Sequence, residues 1–381
     1  MTGFLCIVTE TLPAGLLAQI SAGLDISQAL AGQMVTAYAL GSLLAAIPLT
    51  IATRGWRRRN VLLLSIVGFL IFNSATALSS NYWLTLAARF FAGVSAGLAW
   101  SLLAGYARRM VAPYQQGQAM AIAMVGTPIA LSLGVPLGTL LGSAVGWRMA
   151  FWIMSALTLA LIGWVLAKVP DYPGQSAHER MPLRRVFTTP GVRAVLAVVV
   201  AWMLAHNILY TYISPFVAPA GLAARVDLVL LVFGVAALAG IWITGKLVDR
   251  HLRATVLASL AAFVLTALAF GLMPASPALI YVGVAVWGTS FGGAATLLQT
   301  ALADAAGKGA DVALSMNVVA WNGAIAAAGV AGGMLLETWG AGSFPWALAV
   351  LATIALAIVA SSHDHAFKPG LRSPGPVVVG H

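Results

Sequence analysis

The chain has 381 residues, of which 61% are hydrophobic and 8% charged, and its mean hydropathy is +0.94. Charged residues make up about a quarter of an ordinary soluble domain, so this composition excludes one. The formal charge of +10 does not indicate nucleic acid either, because the 20 Lys and Arg residues are scattered over short loops rather than gathered into one patch with aromatic partners.

Apolar stretches of about 18 to 25 residues, each long enough to cross a hydrocarbon core of about 30 Å as a helix, recur along the whole length. In chain order they fall at 3–22, 28–53, 60–79, 83–107, 116–142 and 148–168, then at 191–214, 227–248, 254–273, 277–302, 312–336 and 343–361. This predicts twelve transmembrane helices in an all-α membrane protein. A membrane β-barrel is excluded, since the segments lack strict alternation and are about twice the length of a membrane strand.

The first span carries an intramembrane acid, Glu10, in Val8-Thr9-Glu10-Thr11-Leu12-Pro13-Ala14-Gly15. It lacks a basic start, which argues against a cleaved leader, and with Met1 almost at the membrane the true start codon could lie upstream. Cys6, the sole cysteine, cannot form an internal disulfide and reads as a structural residue of this span. Span two ends in Thr53-Arg54-Gly55-Trp56-Arg57-Arg58-Arg59, and span four holds an intramembrane arginine in Arg89-Phe90-Phe91-Ala92-Gly93-Val94-Ser95-Ala96-Gly97. A guanidinium inside hydrocarbon is costly and normally faces the bundle interior, although near an interface it can snorkel outward. Span five carries Gly126, Pro128, Gly134, Pro136, Gly138 and Gly142. Its last three glycines are four apart on one helix face, where a neighbouring helix can approach closely, and its prolines favour a bend.

The polar stretch 169–190 reads as a linker between an N-terminal six-helix bundle, 1–168, and a C-terminal one, 191–361. Span seven brings His206, Asn207, Tyr210 and Tyr212; the loop after span eight reads Gly245-Lys246-Leu247-Val248-Asp249-Arg250-His251-Leu252-Arg253; Gln299 lies on span ten and Asn317, Trp321 and Asn322 on span eleven. Each lone polar group could equally satisfy a helix-to-helix hydrogen bond. Asp304, Asp311 and Glu337 lie near span ends and read as solvated or capping charges. The tail 362–381 has no apolar periodicity and reads as disordered, its histidines as solvated rather than metal-binding. The excess of Lys and Arg in alternate loops, from Arg54 and Arg57–Arg59 to Lys368 and Arg372, places both termini in the cytoplasm.

The chain also repeats itself. Gly93 and Gly97 before Ser101-Leu102-Leu103 return as Gly288 and Gly292 before Thr296-Leu297-Leu298, an offset of 288 − 93 = 195. Gly134 and Gly138 before Leu140-Leu141 are matched by Gly329 and Gly333 before Leu335-Leu336, again 329 − 134 = 195, and Arg57 is matched by Arg253 one residue out of step. Two parallel copies of a membrane-embedded half are how many secondary transporters are built, with substrate held between the halves.

The loop 53–59, with its later copy 245–253, resembles the signature loop of the major facilitator superfamily, although Thr53 and Trp56 stand where that signature has an acid and a glycine; Asp249 keeps the acid. Arg89 with Gly93 and Gly97 resembles the family's fourth-helix motif, the 126–142 stretch its antiporter motif, and Gly146-Trp147-Arg148 its opening of helix six. The first span and the Arg-x-Trp-x-Arg-Arg loop resemble the drug:proton antiporter-1 type, in its arabinose-permease-like, sugar-efflux and chloramphenicol-resistance branch. The resemblance implies a major facilitator fold of two pseudo-symmetric six-helix bundles, working as a monomer in the bacterial cytoplasmic (inner) membrane. It also implies proton-coupled efflux of a small organic molecule, a sugar, a sugar derivative or a drug such as a phenicol, by alternating access.

On that reading Glu10 carries the proton, since desolvation disfavours a charged carboxylate and suits it to load and release a proton, and Arg89 stabilises charge or gates the exchange. The alternative for Glu10 is a structural partner near the cytoplasmic end of span one. By resemblance His206, Asn207, Tyr210, Gln299, Asn317 and Asn322 contact substrate, while Arg57, Arg58, Gly126, Pro128, Gly134, Pro136, Gly138, Asp249 and Arg250 serve the conformational change. No cofactor or metal is implied. A uniporter without proton coupling is the nearest rival. A membrane enzyme would need polar groups converging at one depth, and a channel has no need of two rocking halves.

Overall fold

The computed structural model describes residues 1–26, 28–175 and 181–370. Among them every regular element is helical. The helices are α1 (Thr2–Gly15), α2 (Leu17–Leu24), α3 (Gln28–Thr53), α4 (Arg58–Leu78), α5 (Tyr82–Arg109), α6 (Gln116–Met124), α7 (Gly126–Ile129), α8 (Val135–Val145) and α9 (Trp147–Lys168). After the short α10 (Leu183–Phe187) come α11 (Val192–Thr211), α12 (Ile213–Val217), α13 (Val226–Leu272), α14 (Pro277–Gly292), α15 (Ala294–Ala306), α16 (Ala310–Trp339) and α17 (Phe344–Ser361).

Helix occupies each predicted interval, but several intervals are interrupted. Eight stretches among the described residues are long and apolar enough to cross a membrane, and two of them, of 45 and 63 residues, far exceed the ~20 residues one crossing needs. The breaks have local causes. Pro13 lies inside α1, and Leu16 leaves the helical region before α2 resumes. In the fifth interval a π-helical turn, Ala130–Gly134, lies between Pro128 and Pro136, each of which denies its helix a backbone donor. α13 turns at His251, whose backbone is not helical, so it is two helices joined by a corner.

The chain forms two compact units. The first comprises Met1–Tyr106, Val125–Met181 and Leu314–Val319, and the second Ala107–Met124, Pro182–Ala313 and Ala320–His381. The first unit's core gathers Leu5, Val8, Leu12, Leu16 and Ile20 with Ile66, Phe151 and Met154.

In both units helices cross backbone to backbone. A Cβ at Gly93 would collide with the Tyr38 carbonyl and one at Gly97 with the Ser42 carbonyl, while Gly41 abuts the Phe90 carbonyl; α3 and α5 therefore touch where side chains are missing. The second unit repeats this: Gly288 faces the Phe233 carbonyl and Gly292 the Ala237 carbonyl. The partners are themselves offset by 233 − 38 = 195 and 237 − 42 = 195. Gly93, Gly97, Gly288 and Gly292 are thus a packing device, whereas Gly329, the counterpart of Gly134 in the repeat, has open space beside it.

Two polar stretches, the linker and the tail, are held by hydrogen bonds to the helical core. In the linker, Arg58 N–H donates to the Tyr172 carbonyl and Gln175 N–H to the Arg54 carbonyl, at 2.9 and 2.8 Å. The tail, expected to be disordered from residue 362, is packed at Ala366 and Phe367: Phe367 is fully buried, and its carbonyl accepts from Arg253 at 3.0 Å. An isolated phenylalanine gives no periodicity, yet it buries as much apolar surface as a core residue. Residues 371–381, with Arg372 and His381, lie outside the described residues, as do 176–180.

Candidate functional site

The first unit holds a buried charge at the junction of α1, α3, α4 and α5. Arg89 is fully buried. Its Nη2 donates to the Thr9 carbonyl at 2.6 Å and reaches the Glu10 carbonyl at 3.4 Å. Pro13 explains why that carbonyl is available: a proline four residues on has no N–H to offer it. The guanidinium also lies 5.0 Å from the Tyr38 ring centroid and 5.5 Å from that of Phe151, within cation–π range. Its Nε and Nη1 have no hydrogen-bond partner.

Glu10, half-buried on the adjoining turn of α1, lies close enough to Arg89 for the two charges to interact electrostatically without a side-chain ion pair. Tyr38 OH donates to the Cys6 carbonyl at 2.9 Å and Asn73 Nδ2 to Thr9 Oγ1 at 3.2 Å, which leaves Asn73 Oδ1 unpartnered. The structure therefore brings Glu10 and Arg89 together, as expected, and adds Tyr38, Asn73 and Thr9.

The antiporter-like stretch is the seat of the helix that bears Glu10. A Cβ at Gly134 would strike Val8 and Phe4, one at Gly138 would strike Leu12 and one at Gly142 would strike Leu16. Glycines four apart thus receive side chains four apart, a ridge of α1 in a groove of α8 and the turn before it. Gly126 meets the backbone of Phe4 in the same seam. Pro128 and Pro136 flank the π-turn in sequence.

The second unit places an aromatic cluster at the corresponding helices. His206 on α11 stacks on Phe291 with centroids 3.5 Å apart and planes 4° from parallel. Tyr210 stacks on His206 at 5.4 Å, Trp287 lies 4.4 Å from Phe233, and Trp321 completes the group 6.4 Å from Phe291. Trp287 Nε1–H donates to His206 Nδ1 at 3.1 Å. Indole is a donor only, so His206 carries its proton on Nε2 and presents that N–H.

Two of the other expected substrate contacts are engaged elsewhere. Asn207 donates to the Met203 carbonyl of its own helix at 2.9 Å, and Gln299 points to the Met124 sulfur at 3.9 Å. Asn317 is buried with an unpartnered Oδ1 but belongs to the first unit's share of α16, and Asn322 is half-buried on the same helix.

The loop motifs also resolve into contacts. Asp249 accepts from the Gly117 and Gln118 amides at 2.7 and 2.8 Å, capping the N-terminus of α6, where helix dipole and free N–H groups favour an anion. The first copy lacks the acid, and Thr53 Oγ1 only donates back to the Leu49 carbonyl. The linker supplies one instead. Asp171 pairs with Arg57 Nε and accepts from the Arg59 amide in the first turn of α4 at 3.1 Å. The Arg57 hydrogen bond holds the Asp171 carboxyl below the usual carboxylate range. Arg58 is buried, and its Nη2 donates to the Arg54 carbonyl at 3.0 Å; Arg250 is exposed. Asp304 and Asp311 are not simply solvated: they pair with Arg108 and Arg109 at 3.0 and 3.4 Å.

The family model described as Major Facilitator Superfamily matches residues 1–313. The chain is 29% identical over 317 residues to the "Purine ribonucleoside efflux pump NepI" of Escherichia coli O6:K15:H31 (strain 536 / UPEC), covering 81% of this chain and 80% of that protein. It is 28% identical, over the same shares, to the protein of that name from Shigella sonnei (strain Ss046). Two solved structures share the fold. The proton:xylose symporter XylE has a TM-score of 0.75 at 14% identity, covering 93% of this chain and 92% of that one. The human organic anion transporter MFSD10 (TETRAN) has a TM-score of 0.73 at 16% identity, covering 94% and 98%.

Proposed function

The chain belongs to the major facilitator superfamily, and from that premise we propose that this multi-pass membrane protein exports a small organic molecule in exchange for protons. Twelve crossings in two six-helix halves, with both termini cytoplasmic, complete the reading, and the protein works as a monomer. The observation that carries it is the buried guanidinium of Arg89, with two nitrogens unpartnered and a half-buried carboxylate, Glu10, beside it but not locked to it. A structural arginine would be fully paired, because each unmet donor inside the bilayer is costly. Here the charge balance depends on whether Glu10 is ionised. Protonation leaves Arg89 uncompensated, and deprotonation neutralises it. That difference lets a proton bias one conformation of the seam between α1 and α8 over another.

For the cargo, the aromatic cluster and the presented His206 N–H favour a planar ring with a hydrogen-bond acceptor. The relatives named as purine ribonucleoside efflux pumps point the same way. A purine ribonucleoside is also a sugar derivative, and so lies within the sequence-based expectation. Phenicols are the runner-up, being aromatic without a second fused ring.

Proteoliposomes under an imposed proton gradient, with lumenal pH followed as purine ribonucleosides, sugars and phenicols are added, test both points. Nucleosides are expected to evoke proton movement in the wild type and none in Glu10→Gln, which should still bind nucleoside. Proton movement persisting in Glu10→Gln refutes the assignment of the carrier. Nucleoside flux that ignores the proton gradient makes the protein a uniporter.

A further inference from the structure

One feature of the second unit lies apart from both clusters. A cavity of about 640 Å³ opens between the two arms of α13 and α14, lined by Gly240, Leu247, His251, Ala258, Ala262 and Val286 among others. Along the second arm it runs from His251 to Ala262, about 16 Å at 1.5 Å per residue. That is the depth of one leaflet of a hydrocarbon core about 30 Å thick.

The wall is mostly apolar, and three of its five hydroxyls are engaged within their own helices. Thr255, Thr289 and Ser290 donate to the carbonyls of His251, Ala285 and Trp287 at 2.9 Å, within their own helices. Those donors are therefore engaged, which favours a hydrocarbon chain over a polar cargo. The mouth is the opposite. His251 lines that end of the groove and is exposed, its chain neighbours Lys246 and Arg250 are exposed too, and Lys246 sits 3.6 Å over the Trp242 ring. Arg253, by contrast, is committed to the carbonyls at the end of α17, at 2.7 and 2.9 Å from Val359 and Ala360.

We propose that this groove is a binding site for an anionic phospholipid, with one acyl chain between the arms of α13 and the headgroup phosphate at Lys246, Arg250 and His251. The charge at the mouth selects the headgroup, since a cation near the membrane surface attracts anionic lipid. The small residues Gly240, Ala258 and Ala262 make room for the chain. Such a lipid braces the corner at His251, which lies two residues beyond the carboxylate that caps α6.

Native mass spectrometry tests the site on detergent-purified protein given equal amounts of phosphatidylglycerol and phosphatidylethanolamine of the same chain length. The wild type should retain phosphatidylglycerol preferentially. Lys246→Gln and Arg250→Gln should each weaken that retention roughly fivefold, the equivalent of one surface cation. Ala258→Phe should fill the groove and abolish retention of either lipid there, and because Ala258 is exposed the variant is expected to keep the wild-type thermal midpoint. Equal retention of the two lipids overturns the headgroup site. Retention unchanged in Ala258→Phe, or displacement of the bound lipid by added nucleoside, overturns the acyl-chain site.

Discussion

Arg89 and Val284 occupy the same place in two copies of one helix, 284 − 89 = 195 residues apart, and both are fully buried. Around them the backbone packing is the same, with glycines over the carbonyls of residues 38 and 42 in one copy and 233 and 237 in the other. The chemistry is not. The first copy surrounds Arg89 with Tyr38, Asn73, Glu10 and a carbonyl released by Pro13; the second has Phe233 in the place of Tyr38 and a stack of His206, Phe291 and Trp287. α11 contains no proline to release a carbonyl. The repeat therefore specifies how helices approach, and departures from the repeat specify what each unit can do: the first handles charge and the second presents aromatic surface.

The comparison breaks first at the shared packing. Gly93→Leu and Gly288→Leu should each cost about 3 kcal/mol or more, since a side chain would have to displace backbone rather than a flexible neighbour. Thermal unfolding in detergent should show losses of similar size in both; a large loss in only one would mean that the two crossings are not equivalent.

Next comes the chemistry. Arg89→Val installs the residue that the second copy holds; the Thr9 carbonyl loses its donor, so stability should fall by about 1–3 kcal/mol without unfolding, while proton-driven export should be lost. Unfolding of this variant would instead make Arg89 structural. On the aromatic side, Phe291→Ala removes the ring stacked on His206, and nucleoside affinity measured by scintillation proximity should drop about 2- to 10-fold, the range of one aromatic pair. A drop in proton coupling without a change in affinity would reverse the assignment of roles.

The smallest effect concerns the two loop acids. Asp249→Asn should destabilise the capped α6, whereas Asp171→Asn, in a partly exposed pair, should cost no more than about 1 kcal/mol. Because the folded Asp171 carboxyl is held low, its contribution is complete above the ordinary carboxylate range and disappears as pH falls through its depressed value. Stability of wild type and Asp171→Asn should therefore differ at pH 7 and converge in strong acid. Curves that stay parallel would deny the pair any role.

Much of this was legible in the residues. Glycine spacing announced the close crossings, because only a missing side chain permits them, and an acid and an arginine inside apolar helices announced the charged site, because hydrocarbon tolerates neither without a purpose. The Tyr38 contact was half visible, its repeat partner being Phe233. Asp171 was not: it restores an acid at the first loop from more than a hundred residues away, and no local pattern records that. Asn207 and Gln299 looked like cavity groups, yet one satisfies its own helix and the other faces a methionine, since a lone amide takes the nearest acceptor or contact. Arg108 and Arg109, read as markers of orientation, hold Asp304 and Asp311.

By itself the sequence determined the all-helical membrane character, the repeated glycine crossings and the two charges inside apolar helices, all of which follow from hydropathy and periodicity along the chain. Only the tertiary structure decided which groups are paired. A hydrogen bond or ion pair is fixed by distances of about 3 Å between residues remote in sequence, and those distances left Arg89 with unmet donors, gave His206 its tautomer and turned a linker aspartate into the missing acid of the first loop.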